Sequence, residues 1–286
     1  MENKLKKHLF VGDLHGNVKK FEAALEYARA HEMVLVCVGD YVDSFTYTRN
    51  AEKILLQKMI DAYVPDETIY LIGNHDLHYS VPVHGRNDFM CSGYASSAHY
   101  DLFKLYSTMY KKGMLRMFYR VGNVFSTHAG VGSDVLRSLK KDPDAELKNF
   151  SIDEVNELFE QYEDDFYYYL MSSGNRSMFV HGIFEVGWDS GNWKNIQGGI
   201  FWLRPKEYKI SRDTSTFLQI VGHTPIDQAN GAPLLQPRMH NDSLYVIDTE
   251  YNKTNHVFVE YEPVLDVTQI IELPRTEDNL YLKVKI

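Results

Sequence analysis

Short apolar runs recur along the chain, each ending in polar residues: "KHLFVGD", "MVLVCVGD", "TIYLIGNHD", "NVFSTHAG", "FLQIVGHTP" and "SLYVIDTE". Val, Ile, Leu, Phe and Tyr dominate them, and apolar character is nearly continuous rather than alternating. That is the pattern of strands covered on both faces. Between the first two runs, "NVKKFEAALEYARAHE" places Phe21, Ala24, Leu25 and Ala28 at helical spacing; "AEKILLQKMIDAY", between the second and third, is helical again. Strand, helix, strand, helix, strand predicts a layered α/β core with right-handed crossovers. Ligands of such open sheets gather at the carboxyl ends of the strands, which is where the polar endings fall.

Two segments read as insertions on this core. Residues 78–120 carry "SSAHYDLFKLYSTMYKKGML", with Leu102, Leu105 and Met109 on one helical stripe. Residues 133–196 carry "SIDEVNELFEQYEDDFYYYLMSS", where Ser151 and Glu154 fit a capping box and the aromatic cluster Phe166 to Tyr169 is expected to pack into the core. The tail, from "SLYVIDTE" through "HVFVEYE" to "YLKVKI", reads as strands of a second sheet. With no repeat, low-complexity tract or linker, residues 1–286 are expected to form a single domain.

Composition narrows the class. Hydrophobic residues at 44% and charged residues at 24% suit a soluble globular chain, and no 18-residue apolar run predicts a membrane span. The start, "MENKLKKHLFVGD", lacks the apolar core and cleavage site of a secretory signal. Cys37 and Cys91 are too few for a disulfide framework, so reduced thiols and a cytoplasmic location are expected. A net charge of -9 argues against a nucleic-acid backbone or an anionic membrane as partner. It leaves room for a phosphorylated substrate, because acids loaded with divalent cations present a positive face.

The strand endings supply the chemistry. Asp13 and His15 lie in "GDLHG", Asp40 in "GDYVD", Asn74 in "GNHD", His128 in "THAG" and His223 in "GHTP". Carboxylate, imidazole and amide-oxygen ligands without thiolate suit Mn²⁺, Fe or Zn²⁺. With Asp40 bridging, they divide into two neighbouring metal sites. Glycine before Asp13, Asp40, Asn74 and His223 is expected to let the chain turn sharply and to bring backbone close to the site. Each fragment alone could be a surface turn or a core histidine; the weight comes from their recurrence at strand ends.

Taken together, "GDLHGN", "GDYVD", "LIGNHD", "THAG" and "GHTP" resemble the calcineurin-like metallophosphoesterase superfamily, most closely its phosphoprotein phosphatase branch, which includes bacterial and phage serine/threonine phosphatases and diadenosine tetraphosphatases. The resemblance runs from residue 12 to residue 225. It implies a four-layer α-β-β-α sandwich, the metallo-dependent phosphatase fold, with a dinuclear site. Asp13, His15 and Asp40 would hold one metal; Asp40, Asn74, His128 and His223 would hold the other. Mn²⁺ is the expected ion, with Fe and Zn²⁺ as alternatives. His75 matches the general acid, and Asp43 the carboxylate that orients and charges it.

The match departs from the branch after "GDYVD", where Arg-Gly usually follows and the arginine grips the phosphate. Here Ser44 and Phe45 stand there, and a hydroxyl cannot replace a guanidinium. Candidate replacements are Arg49 in "YTRN", Arg86, and Arg204 in "GIFWLRPKEY", which resembles a short strand ending in Trp-x-Arg; Asn74 would also touch phosphate. His78 reads as a loop or supporting residue. The leading expectation is a phosphomonoesterase similar to serine/threonine protein phosphatases. The alternatives are a nucleotide-directed hydrolase resembling diadenosine tetraphosphatase and a metal-binding scaffold with little turnover.

Overall fold

Parallel strands β1 (His8–Val11), β2 (Val34–Cys37) and β3 (Thr68–Leu71) form the middle of one sheet, joined by helices α1 (Val18–Ala30) and α2 (Arg49–Ala62). The computed structural model describes residues 6–82, 90–172, 181–190, 192, 197–211, 213–226, 238–240, 243–249 and 255–275. Each helix begins at a side-chain cap: Asn17 Oδ1 accepts from Lys20 N at 2.9 Å, and Thr48 Oγ1 from Ala51 N at 3.2 Å. After β3 come α3 (Asn74–Ser80), α4 (His99–Lys111), β4 (Leu115–Arg116), β5 (Tyr119–Val121) and β6 (Val124–Ser126). Four helices follow: α5 (Ser133–Lys140), α6 (Ile152–Ser172), α7 (His181–Phe184) and α8 (Pro205–Ile210). Strands β7 (Leu218–Val221), β8 (Arg238–His240), β9 (Leu244–Val246), β10 (Asn255–Glu262) and β11 (Val267–Pro274) complete the order.

The strands form a six-stranded sheet, β11-β10-β1-β2-β3-β4, and a five-stranded sheet, β5-β6-β7-β9-β8. Alternate side chains of β1 to β3 explain their unbroken apolar runs. Phe10, Val36, Ile69 and Leu71 pack between the sheets against Val124, Ile220 and Ile247. Leu9, Leu35, Cys37 and Tyr70 point the other way, against Phe21, Leu55 and Met59 of α1 and α2 and against Leu102 and Met109 of α4. On the far side of the second sheet, Phe125, Val221 and Val246 pack with Leu136 of α5, Phe159 and Phe166 of α6 and Tyr208 of α8. The result is the four-layer α-β-β-α sandwich, with the chemistry-bearing loops at the carboxyl ends of β1, β2, β3, β6 and β7.

The insert helices form where the pattern places them. Leu102 and Met109 of α4 are buried. Ser151 N donates to Glu154 Oε2 at 2.8 Å while Glu154 N donates to Ser151 Oγ at 3.3 Å, closing the capping box. Phe166 is fully buried and stacks on Phe184 and Phe201; the side chains of 167–169 lie outside the described residues. Two expectations need correction. "HVFVEYE" is β10, and it joins the first sheet, antiparallel to β1 with His8 opposite Tyr261, rather than the second. "YLKVKI" lies outside the described residues. Residues 115–120, counted within the first insertion, supply β4 and β5 and so belong to the sheets themselves. No helix among the described residues is long and apolar enough to cross a membrane.

Candidate active site

The predicted ligands converge. Asp13, His15 and Asp40 offer ligand atoms within 4.8 Å of one another, and so do Asp40, His128 and His223, so Asp40 is common to both groups. Asn74 joins the second group, its Oδ1 lying 2.9 Å from both His128 Nε2 and His223 Nδ1. His15, Asp40, Asp43 and His223 all adopt positive φ, at 39°, 55°, 62° and 63°. Non-glycine residues held there cost about 1–3 kcal/mol each and persist only where the surroundings over-determine them. The glycines serve the two expected ends at different positions. Gly39 does take a left-handed φ of 108°, but Gly73 and Gly222 are needed for clearance. A Cβ on Gly73 would strike the Asp40 carboxylate, and one on Gly222 the Asp13 carboxylate.

Backbone hydrogen bonds lock the loops together. Asp40 O accepts from Leu14 N at 3.0 Å and His15 N at 2.8 Å, tying the β1 loop to the β2 loop. Asp13 Oδ1 and Oδ2 accept from His223 N at 3.0 and 3.1 Å, and His128 O accepts from Gly222 N at 2.8 Å. His15 Nδ1 donates to Val42 O at 2.6 Å and His128 Nδ1 to Val38 O at 2.8 Å. Those bonds fix Nδ1 as a donor on each ring and leave Nε2 as the lone-pair atom of the neutral imidazole.

That arrangement fits cations. His128 Nε2 sits 2.9 Å from the Asn74 amide oxygen and 3.3 Å from Asp40 Oδ2, so three potential ligand atoms meet in a buried place. His223 Nε2 is buried with no hydrogen-bond partner. Burial, above all, raises the Asp13 carboxyl, and repulsion from Asp40 adds to it against the pull of His128. Burial opposes the Asp40 charge too, yet His128, His75 and His15 outweigh it and hold this carboxyl well below the usual range. Burial would lower His128, but the Asp40 charge prevails and pushes it up to about 9. The negative field that retains a proton there is the field a divalent ion would meet.

The rim beside this cradle carries the predicted acid pair. His75 Nδ1 lies 3.2 Å from Asp43 Oδ2, and His75 N donates to Asp40 Oδ1 at 2.9 Å. Burial works against the Asp43 charge, but hydrogen bonds from His75 and His78 hold it well below the usual carboxylate range. Arg49, at the first position of α2, donates to Asp43 Oδ1 at 2.7 Å, Glu52 Oε2 at 2.8 Å and Gly93 O. Its guanidinium is thus committed to the acid pair, not to an open phosphate position. Ser44 Oγ accepts from Thr46 N at 3.0 Å and Tyr47 N at 2.7 Å, a tight turn that brings Arg49 back towards Asp43 and leaves Phe45 66% exposed. Arg204 reaches the other side: its guanidinium donates to His223 O at 3.2 Å and Thr224 Oγ1 at 3.4 Å. "GIFWLR" is a turn closed by Leu203 N on Gly199 O at 2.9 Å, not a strand. Arg86 falls outside the described residues.

Sequence reasoning missed several residues. Asp76, fully buried, accepts from Asp40 N and Gly73 N at 2.8 Å and from Tyr41 N at 2.9 Å, clamping the β2 and β3 loops together. Burial and then the Asp40 charge push its carboxyl up to about 6. The signal was present, since Asp at the third position of a short helix after Gly is a capping pattern. Lys20 Nζ donates to Asp13 O at 2.8 Å from within α1. His78 is a buried helix residue 2.7 Å from Asp43 Oδ2, not a loop residue.

A family model described as calcineurin-like phosphoesterase matches residues 6–247. Among solved structures, a protein described as a diadenosine tetraphosphatase matches at 16% identity over 95% of this chain and 96% of its own, with a TM-score of 0.42. A protein serine/threonine phosphatase from Saccharomyces cerevisiae matches at 12% identity over 96% of this chain and 82% of its own, with a TM-score of 0.48. No curated protein sequence matches the chain.

Proposed function

The chain belongs to the calcineurin-like phosphoesterase family and is a phosphoesterase hydrolase, and from that premise we propose that it is a two-metal phosphomonoesterase acting on phosphorylated protein or small phosphoesters. The observation that carries this reading is the sharing of Asp40 between two ligand groups, with His75 anchored to its other oxygen. Asp13, His15 and Asp40 would hold one divalent ion; Asp40, Asn74, His128 and His223 would hold the second. Mn²⁺ is our first choice for a donor set of oxygens and imidazoles. When bound, the ions supply positive charge for the phosphoryl oxygens and an activated water.

The remaining steps belong to the chain. Asp43 accepts from His75 Nδ1 and so fixes the ring, leaving Nε2 as the atom that hands a proton to the departing oxygen. Arg49 neutralises Asp43 from the opposite side and fixes its orientation. Arg204, positioned beside His223, is our candidate for the phosphate-binding arginine. A second reading, hydrolysis of a nucleotide ester, is favoured by Phe45, whose exposed ring stands two residues from Asp43 and could stack on a base. The test is hydrolysis of an activated aryl phosphate, phosphopeptides and dinucleotide polyphosphates by Mn²⁺-loaded protein. Turnover of the first two supports a phosphomonoesterase, preference for the dinucleotide supports the second reading, and inertness towards all three sinks both.

A further inference from the structure

The cradle is gripped from behind by a helix that contributes no ligand to it. Asp76 Oδ2 accepts from Asp40 N and Gly73 N, and Oδ1 accepts from Tyr41 N. A fourth donor comes from α4, where the Tyr106 hydroxyl donates to Asp76 Oδ1 at 2.5 Å. Three donors are thus amides of the β2 and β3 loops, whereas Tyr106 is anchored in a separate element. It is 1% exposed and shares its core cluster with Leu102 and Met109, one helical turn before and after it. Burial, and then the Asp76 charge, push its hydroxyl well above the usual range, so it remains a donor.

What Asp76 holds is the least relaxed part of the site. Asp40 sits at a φ of 55°, a conformation that persists only with outside support. Its carboxylate passes so close to Gly73 that a Cβ there would lie 2.2 Å from Oδ1. A turn of the Asp76 carboxylate would therefore shift Asp40 against Asn74, the residue after Gly73. Tyr106 opposes that turn, because it pins Oδ1 while Oδ2 holds both loops.

We propose that Tyr106 is a positioning residue for the metal cradle, acting through Asp76 to hold Asp40 at the spacing that two ions need. The inference rests on the two-metal reading of the site and deepens it. Asp40 is common to both ligand groups, so a loosened clamp weakens both ions together. Every ligand side chain is still present, so the loss is one of metal affinity and not of chemistry. Groups that support ligands in this way carry about 10–100-fold in affinity.

The test is Mn²⁺ binding to the full chain, followed by the electron spin resonance of the free ion. Tyr106→Phe should weaken binding by about 10–100-fold, and hydrolysis of an aryl phosphate should recover once Mn²⁺ is raised by the same factor. Tyr70→Phe is the control. It removes another buried hydroxyl of the same core, bonded to Met59 O of α2 at 3.1 Å, and should leave Mn²⁺ affinity unchanged. Asp76→Asn should also weaken binding, and adding Tyr106→Phe to it should cost nothing further. Four results overturn the proposal: unchanged affinity in Tyr106→Phe, an equal loss in Tyr70→Phe, additive losses in the double variant, or a Tyr106→Phe chain that fails to fold while Tyr70→Phe folds. If the unaltered protein takes up no Mn²⁺, the two-metal reading itself fails, and this inference falls with it.

Discussion

The cradle and the rim of this site are built by different means. In the cradle, the side chains of Asp13, His15, Asp40 and His128 are held by main-chain amides and carbonyls of neighbouring strand-end loops. On the rim, Asp43 is held by side chains from two helices: His75, His78 and Tyr79 of α3 and Arg49 of α2. A cradle fixed by backbone follows from the order of strands in the sheets, so its geometry is set once the sandwich forms. A rim fixed by side chains can be retuned by single substitutions.

Asp40→Asn should have the largest effect. Asn tolerates left-handed backbone, so the substitution tests charge and not the loop. It should remove the common ligand, lower metal content measured by emission spectroscopy, and cut turnover by about 10³-fold, the several kcal/mol of metal-borne charge stabilisation. Full metal occupancy in this variant would erase the contrast between the two regions. Next comes Asp43→Asn, which should leave metal content unchanged. Its turnover should fall roughly 10²–10⁴-fold on alkyl phosphates but little on aryl phosphates with acidic phenols, because only poor leaving groups need the His75 proton. Equal losses on both substrates would remove the acid from the rim. Arg49→Met should follow the same leaving-group dependence at about 10–100-fold, the 1.5–3 kcal/mol of a charge-assisted hydrogen bond, with partial rescue by Arg49→Lys. A uniform loss with a raised KM would instead place Arg49 on the phosphate.

The same contrast explains what the sequence made legible. Strand-end motifs announce the cradle because each ligand follows its own apolar run, and sheet order then brings the loops together. Asp40 as the shared ligand could be read this way; its positive φ could not, since that arises from the loops packed around it. The commitment of Arg49 to Asp43 was hidden because it depends on the tight turn at Ser44. Asp76 sat inside a recognised motif, but its role depends on two amides 35 and 36 residues away in sequence. "HVFVEYE" announced a strand but not its sheet, since its partner β1 lies at the opposite end of the chain.

That last pairing has a consequence for how the protein is made. β1 is synthesised long before β10, so one of its edges stays bare until β10 follows. Until then the nascent chain carries an apolar, hydrogen-bond-hungry edge on β1, open to capture by other chains. Shielding by a chaperone, or slow synthesis of the stretch that leads to β10, would therefore govern its yield more than the chemistry of its loops.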